Sequence, residues 1–402
     1  MQSVIERPKS HVGEIIICGL LILLLMAGTY WRNKVWNSEL ELWTDCVKKS
    51  PNKDRPHTNL GFAFLNQGRY QEAISPLNEA LRINPNNAEA HNNLGNVFSN
   101  QGKYQEASNQ YNETLRINPK FAEAHNNLGN VFLNQGKYQE AIYEYGEALR
   151  IDPNYAEAYN NLGNVSLNQG KYQEAINQYN EALRMSPNSA EAHNNLGNVF
   201  FNQGKYREAT DQYNEALRIN PNYAKAHNNL ASVFLNQGNY QDATKQYYEA
   251  LRIDPNFAEA HNNLGNVFLN QGKYQEAIPH LNEALRINPN YAKAHYNLGN
   301  AFLNQGKYQE AISHLNEALR IDPNFAEAHN NLGNVFLNQR KYQEAIKHYN
   351  EALRINPYSA KAHYNVGNAY LMTGYRGLAL KEYEILKTMN TGLANELYQK
   401  IK

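Results

Sequence analysis

Between residues 54 and 393 the apolar positions recur with helical spacing, and the whole pattern returns every 34 residues. The copy that begins at Ala122 shows it clearly. At 100° per residue, Ala124, His125, Leu128, Gly129, Val131 and Phe132 fall within one arc of about 160°. Glu123, Asn126, Asn127, Asn130, Leu133 and Asn134 occupy the opposite arc of about 120°. A second periodic segment places Tyr138, Ala141, Ile142, Tyr145, Ala148 and Leu149 within about 120°. Gly136 sits between the segments and Pro153 follows the second, so each copy reads as helix, turn, helix, turn. Ten such copies cover 340 of the 402 residues and predict an all-α solenoid of about ten helix hairpins. One copy buries too little apolar surface to fold alone, so stability has to come from stacking neighbours.

Outside the repeat lies one apolar stretch. From Ile15 to Trp31 no residue is charged, and nine of these seventeen are Ile or Leu. As a helix it is about 25 Å long, the lower limit for crossing a bilayer. Tyr30, Trp31 and Trp36 supply aromatic anchors beside Arg32 and Lys34. Glu6 and Glu14 stand among the flanking Arg7 and Lys9, and no small-residue cleavage site follows, which argues against a signal peptide. The expectation is a single-pass membrane protein, in contact with the lipid bilayer through residues 15–31, after a tail at 1–14. Basic residues on the two sides nearly tie, so orientation stays open.

Leu128, Gly129, Phe132, Ala141, Tyr145, Ala148 and Pro153 on a 34-residue unit resemble the tetratricopeptide repeat. The array is most similar to the superhelical repeats of O-linked N-acetylglucosamine transferase. That resemblance implies a right-handed solenoid and a role in binding other proteins. Ala231, Ser166, Arg340, Thr114 and Leu386 depart from the pattern and predict locally looser packing. Residues 36–53 resemble a half repeat, with Trp43, Cys46 and Pro51 in frame, and 393–402 read as a capping helix built on Leu393, Leu397 and Ile401. The apolar run followed by this half repeat also resembles the junction in multi-pass, mannosyltransferase-like membrane proteins. It implies an alternative, an accessory or truncated subunit of a membrane glycosyltransferase that presents acceptor proteins.

Charge narrows the function. Thirty-eight Lys and Arg against 38 Asp and Glu leave no basic excess, which disfavours nucleic acid as a partner. Two cysteines, Cys18 and Cys46, exclude a disulfide framework and a cysteine zinc cage. No phosphate loop, nucleophile elbow or paired-carboxylate pocket is found, so neither enzymatic activity nor a cofactor is expected. Histidine recurs at one unit position in nine copies, His57 to His363, on the packed face, and reads as packing rather than metal ligation. His280, His314 and His348 form a shorter row on the second helix that reads as solvated.

The strongest binding candidate is an asparagine ladder: Asn93, Asn127, Asn161, Asn195, Asn229, Asn263, Asn297, Asn331 and Asn365. A carboxamide donates and accepts, so it pairs with a peptide backbone whatever the side chains. In the transferase this array resembles, asparagines at the matching position hold extended peptides. The same residues could equally hydrogen-bond between helices, and the sequence leaves the two readings open. A basic clamp for a terminal carboxylate is missing, since the fifth and sixth unit positions carry no Lys or Arg; Tyr296 and Tyr364 stand at the fifth in two copies. The expected function is a membrane-anchored scaffold for protein–protein interaction, binding extended peptides in a concave groove.

Overall fold

The computed structural model describes residues 12–36 and 38–402, with side chains at 16–30, 36 and 38–402. The expected tail at 1–14 and the charged flanks Arg7, Lys9, Arg32 and Lys34 lie outside the residues whose side chains are described. Twenty-three helices and no strand are found among the described residues, rather than ten hairpins alone. Helix α1 spans Val12–Val35 and α2 spans Glu39–Lys49. Helices of thirteen and fourteen residues then alternate from α3 (Asp54–Asn66) and α4 (Tyr70–Ile83) to α21 (Ala360–Met372) and α22 (Arg376–Met389). Helix α23 (Thr391–Ile401) closes the series. The chain divides into two compact units, residues 1–187 and 188–402.

The turn chemistry explains the regular helix lengths. At the end of each first helix a glycine takes the left-handed region, with φ 72° at Gly136, and lets the next amide reach back. There Lys137 N donates to Phe132 O at 2.9 Å and Gly136 N to Leu133 O at 2.9 Å, satisfying carbonyls the helix would leave bare. Arg340 holds the same turn at φ 61°, the one non-glycine residue with positive φ among those described. The second helix stops before its proline, which cannot continue the ladder, as where Asp152 N makes a last bond to Ala148 O at 2.8 Å.

Packing follows from one notch per repeat. The glycine in the middle of the first helix receives the ring or isobutyl group of the second: a Cβ built at Gly129 would lie 2.6 Å from Tyr145 Cε1, and one at Gly265 2.7 Å from Leu281. Tyr111, Tyr145 and Tyr179 in the first unit, and Tyr213, Tyr247, Leu281, Leu315 and Tyr349 in the second, are almost fully buried there. Each buried Leu contributes about 1.5–3 kcal/mol. Among the departures from the repeat, Thr114, Ala231 and Leu386 have no exposed surface, and Thr114 Oγ1 donates to Gln110 O at 3.1 Å. In the last copy the notch at Gly367 is filled by Leu397 of α23.

The first helix requires a correction. No helix among the described residues is long and apolar enough to cross a membrane. The single-pass span over 15–31, its contact with the bilayer and the membrane localisation expected from the sequence are therefore not upheld. The described α1 side chains, Ile16 to Met26 among them, are exposed.

Candidate functional site

The ladder asparagines lie on the first-helix face, but deeper than a helical wheel can show. Asn93, Asn161, Asn297 and Asn331 are buried, while Asn127, Asn195, Asn229, Asn263 and Asn365 are half-buried. Their amides reach back to the preceding repeat. In the first unit Asn127 Nδ2 donates to Asn96 Oδ1 at 3.0 Å, and Asn161 Nδ2 to Asn126 Oδ1 at 2.9 Å. In the second unit Asn229 donates to Asn194 and Asn198, both at 3.0 Å, and Asn263 to Asn228 at 3.2 Å. Asn297 donates to Asn262 at 2.9 Å, and Asn365 to Asn330 at 2.9 Å and Asn334 at 3.2 Å. Asn331 Oδ1 accepts from Asn334 Nδ2 at 3.4 Å.

The accepting asparagines are themselves tied to the core. Tyr111 OH donates to Asn96 at 2.7 Å, Tyr145 to Asn130 at 2.7 Å, Tyr213 to Asn198 at 2.8 Å and Tyr349 to Asn334 at 2.8 Å. Burial pushes these phenols well above their ordinary range, so they stay protonated and donate. In the copy where serine replaces the accepting asparagine, Tyr247 OH pairs with Ser232 Oγ at 2.9 Å. The ladder is thus a chain of hydrogen bonds running tyrosine to asparagine within a repeat and asparagine to asparagine between repeats. Of the two uses open to it in the sequence, bonding between helices is visible directly.

Two rows on the same face remain exposed. One is the last asparagine of the first helix: Asn100, Asn134 and Asn168 in the first unit, and Asn202, Asn236, Asn270, Asn304 and Asn338 in the second. The nitrogens of Asn100, Asn236 and Asn304 donate to the main chain four residues back at 2.8 Å, which leaves their oxygens turned to solvent. The other row is the second residue of the first helix, Glu89, Glu123 and Glu157 in the first unit. There Asn92 and Asn126 donate to Glu123 and Glu157 at 2.9 Å. Sequence reasoning placed Asn134 on the polar arc but did not separate the row; exposure at one unit position is the signal that distinguishes it from the buried asparagines.

The histidines act as staples. His91, His227, His261 and His295 each place Nε2 3.2 Å from the carbonyl of the proline six residues earlier. The Nδ1 atoms of His91 and His227 meet the second helix, at Gln110 (2.7 Å) and Gln246 (2.6 Å), whereas that of His261 is buried without a hydrogen-bond partner among the described residues. His280, His314 and His348 occupy that partner position and are half-buried, which corrects the solvated row expected from the sequence. His295 Nδ1 lies 3.1 Å from His314 Nδ1 and His329 Nδ1 3.3 Å from His348 Nδ1. Phe268, Phe302 and Phe336 stack on His280, His314 and His348. Burial lowers the pKa of all three, that of His348 to about 4. Among the described residues no three ligand-type side chains converge on a point.

The comparisons with known proteins agree with this geometry. The family model described as the C-terminal domain of cilia and flagella-associated protein 70, built of tetratricopeptide repeats, matches residues 119–331, more than half the chain. The chain belongs to this tetratricopeptide repeat family. General tetratricopeptide repeat models also match residues 61–102, 96–136 and 326–359. Among solved structures, the crystal structure of the APC/C hetero-tetramer Cut9-Hcn1 is similar over 94% of this chain and 88% of that one, with a TM-score of 0.59 at 15% identity. That likeness is one of fold, an all-α tetratricopeptide solenoid. PilF of Pseudomonas aeruginosa covers 53% of this chain and 97% of its own, at 23% identity and a TM-score of 0.45. No curated protein matches the chain.

Proposed function

We propose that this tetratricopeptide chain is a scaffold for protein–protein interaction that binds extended peptide segments along its first-helix face and performs no chemistry of its own. The observation that carries the reading is the exposed row of carboxamides, Asn202, Asn236, Asn270, Asn304 and Asn338 in the second unit, two of which, Asn236 and Asn304, commit their nitrogens to the main chain. The half-buried edges of the ladder residues Asn127, Asn195, Asn229, Asn263 and Asn365 lie on the same face, while Asn93, Asn161, Asn297 and Asn331 are buried. At about 0.5–1.5 kcal/mol net per hydrogen bond, a few engaged rungs give weak to moderate affinity, and many equivalent rungs add avidity. No observation favours the glycosyltransferase-accessory alternative, whose membrane-spanning first helix is not found among the described residues.

Panning a random display library of fifteen-residue peptides against the full chain tests the reading. Enriched peptides are expected to lose binding to the triple variant Asn236→Ala, Asn270→Ala, Asn304→Ala, whose helicity is unchanged. A library that yields no binder, or binders indifferent to that variant, rejects it.

A further inference from the structure

The second unit carries a pattern twice as long as its repeat. The second residue of successive first helices reads Glu191, Lys225, Glu259, Lys293, Glu327, Lys361, and every one is exposed. The alternation extends to neighbouring positions. The lysine copies follow Ile-Asn-Pro, at Asn220, Asn288 and Asn356, whereas the copies of Glu259 and Glu327 follow Ile-Asp-Pro, at Asp254 and Asp322. In the first unit the same position reads Arg55, Glu89, Glu123, Glu157, with no such alternation.

These lysines differ from the arginines near the ends of the second helices. Arg218, Arg252, Arg286, Arg320 and Arg354 on the second helices are each paired with a glutamate three residues earlier, at 2.6 to 2.7 Å. Lys225, Lys293 and Lys361 make no ion pair or hydrogen bond among the described residues. Lys361 instead lines a small cleft of about 60 Å³ with Tyr296, Glu327, Asn330 and Ser359. The arginines near the ends of the second helices are therefore neutralised internally, while these three first-helix lysines are left for something else.

Spacing sets what that is. First helices of successive repeats in the unit touch, and packed helices lie about 8–10 Å apart. Glu259 to Lys293 is then about 10 Å and Lys293 to Lys361 about 20 Å, which an extended chain covers in about three and about six residues. At physiological salt charges screen over about 8 Å, so each site is felt one at a time rather than averaged to zero.

We propose that the second unit selects an extended peptide whose acidic and basic side chains alternate at every third residue. Its acids meet Lys225, Lys293 and Lys361, and its bases meet Glu259 and Glu327. The inference rests on the peptide-binding reading above and adds the class of peptide.

Fluorescence anisotropy with the full chain decides it. The probes are an eighteen-residue peptide of three Glu-Ser-Thr-Lys-Ser-Thr units, a peptide of identical composition with the charges in two blocks, and a neutral peptide with Gln at the charged positions. The alternating probe is expected to bind at least about tenfold tighter than the block probe at low salt, with the preference shrinking as salt rises. The triple variant Lys225→Glu, Lys293→Glu, Lys361→Glu should lose that preference and favour a probe with Lys at every third residue. The milder triple Lys→Gln variant, checked for unchanged circular dichroism, should lose it without reversing it. Equal binding of the alternating and block probes overturns the proposal, as does a preference untouched by both variants. If the neutral probe binds as well as the alternating one, the peptide-binding face stands and this inference fails. If no probe binds, both fail.

Discussion

Arg340 offers a controlled measure of backbone strain, because the same turn is made with glycine elsewhere in the chain. Gly204, Gly238, Gly272 and Gly306 take φ of 71° to 74° at the equivalent position, and Arg340 takes 61°. The hydrogen bonds are preserved: Lys341 N to Phe336 O is 2.8 Å, against 2.9 Å for Lys307 N to Phe302 O. The cost therefore sits in the Cβ of Arg340 against its own carbonyl, about 1–2 kcal/mol for an L-residue in the left-handed region. Replacing Arg340 with glycine removes that strain but adds freedom to the unfolded chain, a loss of about 0.4–1 kcal/mol. The balance is a stabilisation of about 0.5–1 kcal/mol for Arg340→Gly, and a destabilisation of similar size for Gly306→Arg. Urea titration followed by circular dichroism reads the first as a higher midpoint. Amide exchange at Lys341 and Lys307 localises both effects, since these amides close the turns concerned. An Arg340→Gly variant that melts at lower urea, with Gly306→Arg unchanged, would refute the reasoning.

Other outcomes follow from the same contacts. Asn229→Ala removes two bonds of 3.0 Å while Asn198 keeps its bond from Tyr213, so urea midpoints should show a loss of about 1–2 kcal/mol, against less than about 0.5 kcal/mol for exposed Asn236→Ala. Gly197→Ala places a methyl 2.6 Å from Tyr213 and should cost about 1–3 kcal/mol by thermal melting. Adding Asn198→Ser should restore part of it, because the copy with Ala231 pairs its Tyr247 with Ser232 instead. Acid should weaken the second unit. His280, His314 and His348 have folded pKa values below their unfolded ones, so the unfolded chain binds more protons and stability falls as pH drops from about 6.5 toward about 4. Facing them are His261, His295 and His329 from the first helices, Glu317, Glu351 and Lys347 on their own helices, and Arg354 near His329. After discounting for the solvent that reaches it, His348 accounts for about 1–2 kcal/mol of this loss. Gln fills the same position at Gln246, so the triple His→Gln variant should flatten the pH profile of urea midpoints between pH 7 and about 4.5.

The helices were legible because their ends are chemically marked. Gly136 is needed where φ turns positive and Pro153 where the ladder has to stop, and both signals are local. What the sequence hid is depth and partnership. A wheel places Asn229 and Asn236 on one face but cannot show that one reaches back to Asn194 while the other stands in solvent. His314 looked solvated because its neighbour, His295, lies nineteen residues away across a turn, and only packing brings the two rings together. The apolar run at 15–31 was read by composition alone, and no helix among the described residues is long and apolar enough to cross a membrane.

The sameness of the inter-repeat contacts within each unit has a mechanical meaning. Pulled from its ends, a unit built of near-equal seams has few preferred breaking points, so its repeats should let go singly and at similar force. Each release frees 34 residues, about 110–120 Å of slack chain. In the second unit the strained turn at Arg340 marks the repeat expected to open first, and the rest should follow like stitches from a known starting point.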